Sequence, residues 1–194
     1  MEKSIGPKKI RTAVFISGTG SNLKNLIKFS LKRKSPIQIN LIITNNPKAI
    51  GLRYAKIYKI KKKIYNYKKK KFSEKKSLND LKLNDIKLVC LAGFMKILSR
   101  DFIKKFKGKI LNIHPSLLPK YKGLKTHERV IKNKEKYSGC TVHLVNSKLD
   151  SGKIIIQKKV KLSKQESLSS LRKKILKHEH KLYPKAISKL FANL

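Results

Sequence analysis

Acidic residues are scarce in this sequence. Ten Asp and Glu stand against 50 Lys and Arg, a formal net charge of +40 over 194 residues. Arginine is scarce too: only six of the 50 basic residues are Arg, leaving 44 Lys. Readers of bases and phosphates favour the bidentate guanidinium fork, so the shortage argues against dedicated nucleic-acid binding. The abundance of Lys, Ile and Asn, whose codons are rich in A and T, reads as compositional bias. Such a charge can still draw in anionic substrates. There are two cysteines, Cys90 and Cys140, inside apolar runs and without CxxC or metal-ligand spacing. They are expected to be buried thiols in a reducing compartment. No apolar run approaches the roughly 18 residues of a membrane span. Met1 to Arg11 is polar and lacks the apolar core of a signal peptide. The expectation is a cytoplasmic protein with one domain over 1–194, residues 1–11 being a flexible extension.

Apolar residues make up 40% of the chain, enough for a core. Residues 12–16 read as a buried strand. A small-residue turn, Ser17-Gly18-Thr19-Gly20-Ser21-Asn22, follows, then a helix with Leu23, Leu26, Ile27 and Leu31 on one face. Further strands are expected at 37–43, near Ile64, at 88–92 and at 110–113. Helices are expected at 49–58, up to Leu83, from the Ser99 cap to Phe106, and from Thr126. Strands at 140–145 and 154–162 flank a polar turn and pair as antiparallel neighbours. A long helix from 167 to 192 closes the chain, with a kink or break near Leu182-Tyr183 caused by Pro184. Alternating strands and helices imply an α/β domain: a mostly parallel sheet, helices on both faces and an antiparallel edge. Ligands in such folds bind at the carboxyl ends of the strands. That rim carries the Gly18–Asn22 turn, the Gly93–Leu98 turn and the His114–Gly123 loop.

The glycine turn can cradle a phosphate, because backbone N–H groups and a helix N-terminus face the same point. It lacks the Lys-Ser/Thr of a P-loop and the third glycine of the dinucleotide pattern, and an ordinary strand-to-helix turn fits it equally. Asn112 and His114, two apart at a strand end, share one face. An amide donor beside an imidazole can hold a developing oxyanion and move a proton; a lone His is otherwise a structural one. Asp150 reads as turn chemistry or as a carboxylate that orients His114. His143 reads as a packed sheet histidine or a further site residue. Glu179, between His178 and His180, reads by default as part of a solvated helix face. Adjacent helical residues point apart, so His-Glu-His does not make a metal site; no metal is expected.

Ile16 to Leu23, Leu91 to Leu98, the Asn-Ile-His-Pro-Ser-Leu-Leu-Pro-Lys-Tyr segment from Asn112, and Leu149-Asp150-Ser151-Gly152 occur in order. Over about residues 10–192 the chain resembles the folate-dependent phosphoribosylglycinamide formyltransferases. The resemblance implies a Rossmann-like formyltransferase fold and a catalytic trio of Asn112, His114 and Asp150. It implies a phosphate site on Gly20, Ser21 and Asn22, closed by Leu176, Lys177, His178 and Glu179. The pterin of 10-formyltetrahydrofolate would lie on Met95, Lys96, Ile97 and Leu98 and on Asn146, Ser147, Lys148 and Leu149, with Asn112 and Asp150 shared. Lys70, or its neighbour Lys69, stands nearest a folate-binding arginine of the family. Thr19, Ser151 and Lys122 stand where Asn, Gly and Pro are common. Partners are expected to be small-molecule substrates, the chain being a monomer or homodimer.

The resemblance leaves three rivals. A methionyl-tRNA formyltransferase would need a further C-terminal domain after Leu194. A formyltetrahydrofolate hydrolase would need a regulatory domain before Thr12. A non-enzymatic RNA-binding module would need aromatic stacking platforms, for which Tyr65, Tyr67 and Phe72 are the one cluster.

Overall fold

The chain is described by a computed structural model over residues 9–192. Its seven strands form one sheet in the order β3-β2-β1-β4-β5-β6-β7. β1 (Ile10–Ile16), β2 (Ile37–Thr44), β3 (Lys61–Ile64), β4 (Leu88–Leu91) and β5 (Lys109–His114) are parallel. β6 (Tyr137–Leu144) and β7 (Ile154–Lys161) add the antiparallel edge. The helices are α1 (Ser21–Ser30), α2 (Leu52–Ile57), α3 (Lys70–Leu83), α4 (Arg100–Lys105), α5 (Thr126–Lys132) and α6 (Leu168–Leu190).

Strand alternation builds two cores from one sheet. Val14, Ile16, Ile42, Cys90 and Leu111 pack with Leu23, Leu26, Ile175, Tyr183 and Ile187 of α1 and α6. Ala13, Phe15, Ile43 and Val89 pack with Leu81 and Phe102 of α3 and α4. Each large apolar side chain buried in this way stabilises the fold by about 1.5–3 kcal/mol. The edge strand β3 reads Lys-Lys-Lys-Ile; charge on an edge discourages pairing with another sheet. The chain runs outward from β1 through β2 to β3, then returns to place β4 on the other side of β1. At that reversal the loops after β1 and β4 diverge, and a crevice opens at their carboxyl ends.

Several expectations shift. Of the expected 1–11 extension, residues 1–8 lie outside the described residues, and Ile10 and Arg11 belong to β1. They are held by Ile10 N–H to Pro36 O at 2.8 Å and Arg11 Nε to Asn84 O at 2.7 Å. Leu31 caps α1 and is exposed instead of extending its buried face. β6 starts at Tyr137, three residues before the expected Cys140, because its pairing with β7 continues through Gly139. A Cβ at Gly139 would stand 2.1 Å from Lys158 O, so that pairing needs glycine. Of the kink or break expected from Pro184, the break does not occur, and α6 runs on through the proline. Proline removes the N–H that would bond His180 O, and the Asn25 side-chain amide donates to that carbonyl instead. Cys90 and Cys140 are buried free thiols, both pushed up to about 12 by burial. No helix among the described residues is long and apolar enough to cross a membrane.

Glu166 organises the start of α6. Its carboxylate accepts from Lys174, from the Ser170 hydroxyl and from Ser163 N–H, beside the Ser167 cap. The Lys174 and Ser170 bonds hold it down at about 2, against an ordinary 4.5. A depressed carboxyl adds stability above its unfolded pKa and loses it as pH falls toward the folded one. Glu166→Gln is therefore expected to lower the melting temperature by several degrees at pH 7. The gap to the parent should narrow below pH 4.5, as thermal unfolding across pH would show.

Candidate active site

One cavity of about 700 Å³ opens at the carboxyl ends of β1, β4 and β5. The Ser17–Asn22 turn, the Leu91–Leu98 segment, the end of β5, the Gly123–His127 loop, the 143–150 stretch and one face of α6 line it. Of the rim predicted from strand order, the glycine turn, the Gly93–Leu98 turn and the two ends of the His114–Gly123 loop meet on this cavity, whereas residues 116–122 do not line it. At the glycine turn, Gly20 has φ 73°, and a Cβ there would meet Gly51 Cα at 2.6 Å. Two glycines therefore let the turn and the start of α2 touch backbone to backbone. Ser17 ties the turn to its neighbours: its hydroxyl donates to Asn45 Oδ1 and accepts from Met95 N–H at 2.8 Å, and its carbonyl accepts from Asn46 Nδ2 at 3.0 Å. The sequence marks Asn45 and Asn46 only as a turn after the second strand; their hold on Ser17, and the part of Gly51, appear only when separate loops meet.

At the end of β5, Asn112 lies opposite His143 in the antiparallel register. Asn112 Nδ2 is 3.2 Å from His143 Nε2 and 3.4 Å from Asp150 Oδ1. His143 Nδ1 is 2.8 Å from Leu144 O, so it carries the proton and Nε2 accepts from the amide. His143, read as either packed or functional, is therefore both: buried, and a partner of Asn112. His114 is anchored through Nε2, 2.8 Å from the carbonyl of Tyr121, which leaves Nδ1 3.5 Å from Asp150 Oδ2. Because Nε2 donates to the carbonyl, a proton on Nδ1 makes the imidazolium.

Asp150 is aimed by its backbone. Its φ is 44°, and Gly123 N–H donates to Oδ2 at 2.9 Å. The turn behind it needs glycine, since a Cβ at Gly152 would stand 1.7 Å from Leu144 O. Burial works to raise the Asp150 pKa. The His143 ring, the Gly123 N–H and the His114 charge outweigh it and hold the carboxyl below its ordinary value. For His114, burial lowers the pKa; the Tyr121 carbonyl and Asp150 raise it, His143 and Arg129 lower it further, and the net direction is down. Burial thus favours the neutral imidazole.

The other expected site residues divide. Gly20, Ser21, Asn22, Met95, Lys96, Ile97, Leu98, Asn146, Ser147, Lys148, Leu149, Leu176 and Glu179 line the cavity with the trio. Lys177, His178 and Lys70 are not among its lining residues, and Lys70 opens α3 exposed to solvent. Glu179 is buried, contrary to the default reading of a solvated helix face, and accepts from Asn22 Nδ2 at 2.7 Å. Lys122 and Ser151, two unusual positions in the family pattern, meet at 2.5 Å between Nζ and Oγ. His127 and Arg172 also line the cavity and were missed; no local pattern marks them.

Burial pushes Glu179 up to about 7, against an ordinary 4.5. A carboxyl whose folded pKa is raised loses stability as pH climbs between these two values. Glu179→Gln carries no ionisable proton and retains a partner for Asn22. The ligand-free variant is expected to melt above the parent at pH 8 and with it at pH 4.5, by thermal unfolding.

Residues 10–187 match the formyl transferase family. The chain belongs to that family. It is 40% identical to the phosphoribosylglycinamide formyltransferase of Haemophilus influenzae, over 93% of this chain and 85% of that one. It is 42% identical to the human trifunctional purine biosynthetic protein adenosine-3, over 95% of this chain but 18% of that protein. The chain thus spans less than a fifth of the trifunctional relatives it matches. Among solved formyltransferases, that of Bacillus halodurans superposes with a TM-score of 0.90 at 34% identity, covering 94% of this chain and 96% of that one. That of Brucella melitensis gives 0.89 at 38% identity, covering 96% and 97%.

Proposed function

We propose that the chain transfers the formyl group of 10-formyltetrahydrofolate to the glycyl amine of 5′-phosphoribosylglycinamide, a step of de novo IMP synthesis. The observation that carries this reading is the Asn112, His114 and Asp150 cluster on the wall of one cavity shared by a glycine turn and an apolar loop. A volume of about 700 Å³ lies within the range of small-molecule sites. The residues suit both substrates. Phe94, Ile97, Leu98, Ile103 and Val145 offer apolar surface for a flat heterocycle, and Gly20 to Asn22 offer N–H groups to an anion. The bound folate supplies an activated formyl group on nitrogen.

Each residue then has a task set by its surroundings. One N–H of Asn112 is committed to His143 Nε2, and the other makes only the long 3.4 Å contact with Asp150. That second N–H is free to turn to an oxygen gaining negative charge. His114 Nδ1, unprotonated at rest, accepts the proton of the attacking amine; Asp150 stabilises the resulting imidazolium, which returns the proton to the departing nitrogen. This differs from an imidazolium standing ready beforehand, which the burial of His114 opposes.

The test mixes purified protein with both substrates and follows tetrahydrofolate. Release that requires phosphoribosylglycinamide supports the transferase. Release at the same rate without it would replace this reading with a hydrolase.

A further inference from the structure

The glycine turn offers backbone N–H groups and a helix terminus, but no formal charge. A phosphate dianion is held most firmly by a guanidinium, which bonds two oxygens at once. α6 presents three side chains to the cavity, Arg172, Leu176 and Glu179. Their spacings of four and three put them on one helix face. Leu176 is apolar and Glu179 is a buried carboxyl bonded to Asn22. Arg172 is therefore the one cation this face offers the cavity. Of the three lining lysines, Lys96 and Lys148 belong to the two loops suited to the formyl donor, and Lys125 stands at the start of α5 beside His127 and Glu128.

Arg172 is also held in position. Its Nη2 lies 2.5 Å from Glu128 Oε1 on α5, which leaves the rest of the guanidinium fork to bond elsewhere. Beside Glu128, His127 lines the same cavity, and its Nδ1 is buried with no partner among the described residues. Burial lowers the His127 pKa, and the Arg172 and His114 charges add to that, so the ring lies within electrostatic reach of both. A buried ring nitrogen without a partner among the described residues and a half-exposed guanidinium, both on the cavity wall, suit the acceptor oxygens of one ligand.

We infer that Arg172 binds the phosphate of the glycinamide substrate, with His127 hydrogen-bonding the same phosphoribosyl group. This rests on the proposed substrate, and direct binding without formyl donor keeps the two questions apart. Calorimetry would compare phosphoribosylglycinamide with its dephosphorylated form on the wild type, Arg172→Gln and Glu128→Gln. Arg172→Gln should weaken the phosphorylated ligand about tenfold or more and leave the dephosphorylated one unchanged. Glu128→Gln, which breaks the same ion pair and frees the guanidinium, should bind no more weakly than wild type. Equal loss in both variants would make the pair a structural tie between α5 and α6 and overturn the inference. Equal loss for both ligands in Arg172→Gln, or no preference of the wild type for the phosphorylated ligand, would overturn it as well. Wild-type protein that binds the phosphorylated ligand selectively yet never turns over would overturn the transferase reading alone.

Discussion

His114→Ala is expected to lower kcat by about three orders of magnitude, within the range for loss of a positioned acid–base group. The KM for phosphoribosylglycinamide should stay within about threefold, since the residues proposed to hold that substrate are elsewhere. The size follows from having one imidazole nitrogen available. Nε2 is committed to the Tyr121 carbonyl and Nδ1 faces Asp150, so proton movement at the reaction centre passes through Nδ1. The other ring near Asp150 is His143, with Nε2 3.6 Å from Oδ1, but its Nδ1 is on the Leu144 carbonyl and its Nε2 is already engaged by the Asn112 amide. Single-turnover kinetics with both substrates saturating isolates this step from product release. A melting temperature near the parent's would show that the loss is chemical. A kcat within tenfold of wild type would remove His114 from the proton path.

The sheet was legible wherever side-chain period and burial agree, as in β1, β4 and β5, whose apolar runs are buried on both faces. It was misread where a distant contact decides. Pro184 looked like a break because the amide of Asn25, which takes up the orphaned His180 carbonyl, lies 155 residues away. Ile10 and Arg11 looked like a tail because their partners, Pro36 O and Asn84 O, are supplied by other loops. The site divides in the same way. Asn112 and His114 could be paired from a spacing of two on a strand, and the glycine turn from composition. Glu179 could not be told from an exposed helix residue, since its burial depends on α6 packing over α1 and on Asn22. His127 and Arg172 carry no local signature, and only the assembled cavity brings them onto one wall with the trio.

Asp150→Asn is expected to lower kcat by about two orders of magnitude while keeping the fold. Asparagine tolerates the left-handed φ of 44° at this position, and its side-chain oxygen can still accept from Gly123 N–H. What changes is the field at His114. The carboxylate raises the imidazole's pKa against the burial that lowers it. Removing that charge takes away a raising influence, so the pKa must fall further. The new amide can also donate to Nδ1, which stabilises the neutral ring and opposes the proton it needs to accept. Both effects make the imidazolium that follows attack harder to form, and the rate falls with it. NMR titration of the His114 ring should give a midpoint below the ordinary 6.5 in the wild type and a lower one in the variant. The acid limb of kcat, which reports the bound complex, should move the same way. A midpoint that stays put, or rises, would mean that the two side chains 3.5 Å apart do not share the proton. Asp150 would then serve the turn alone.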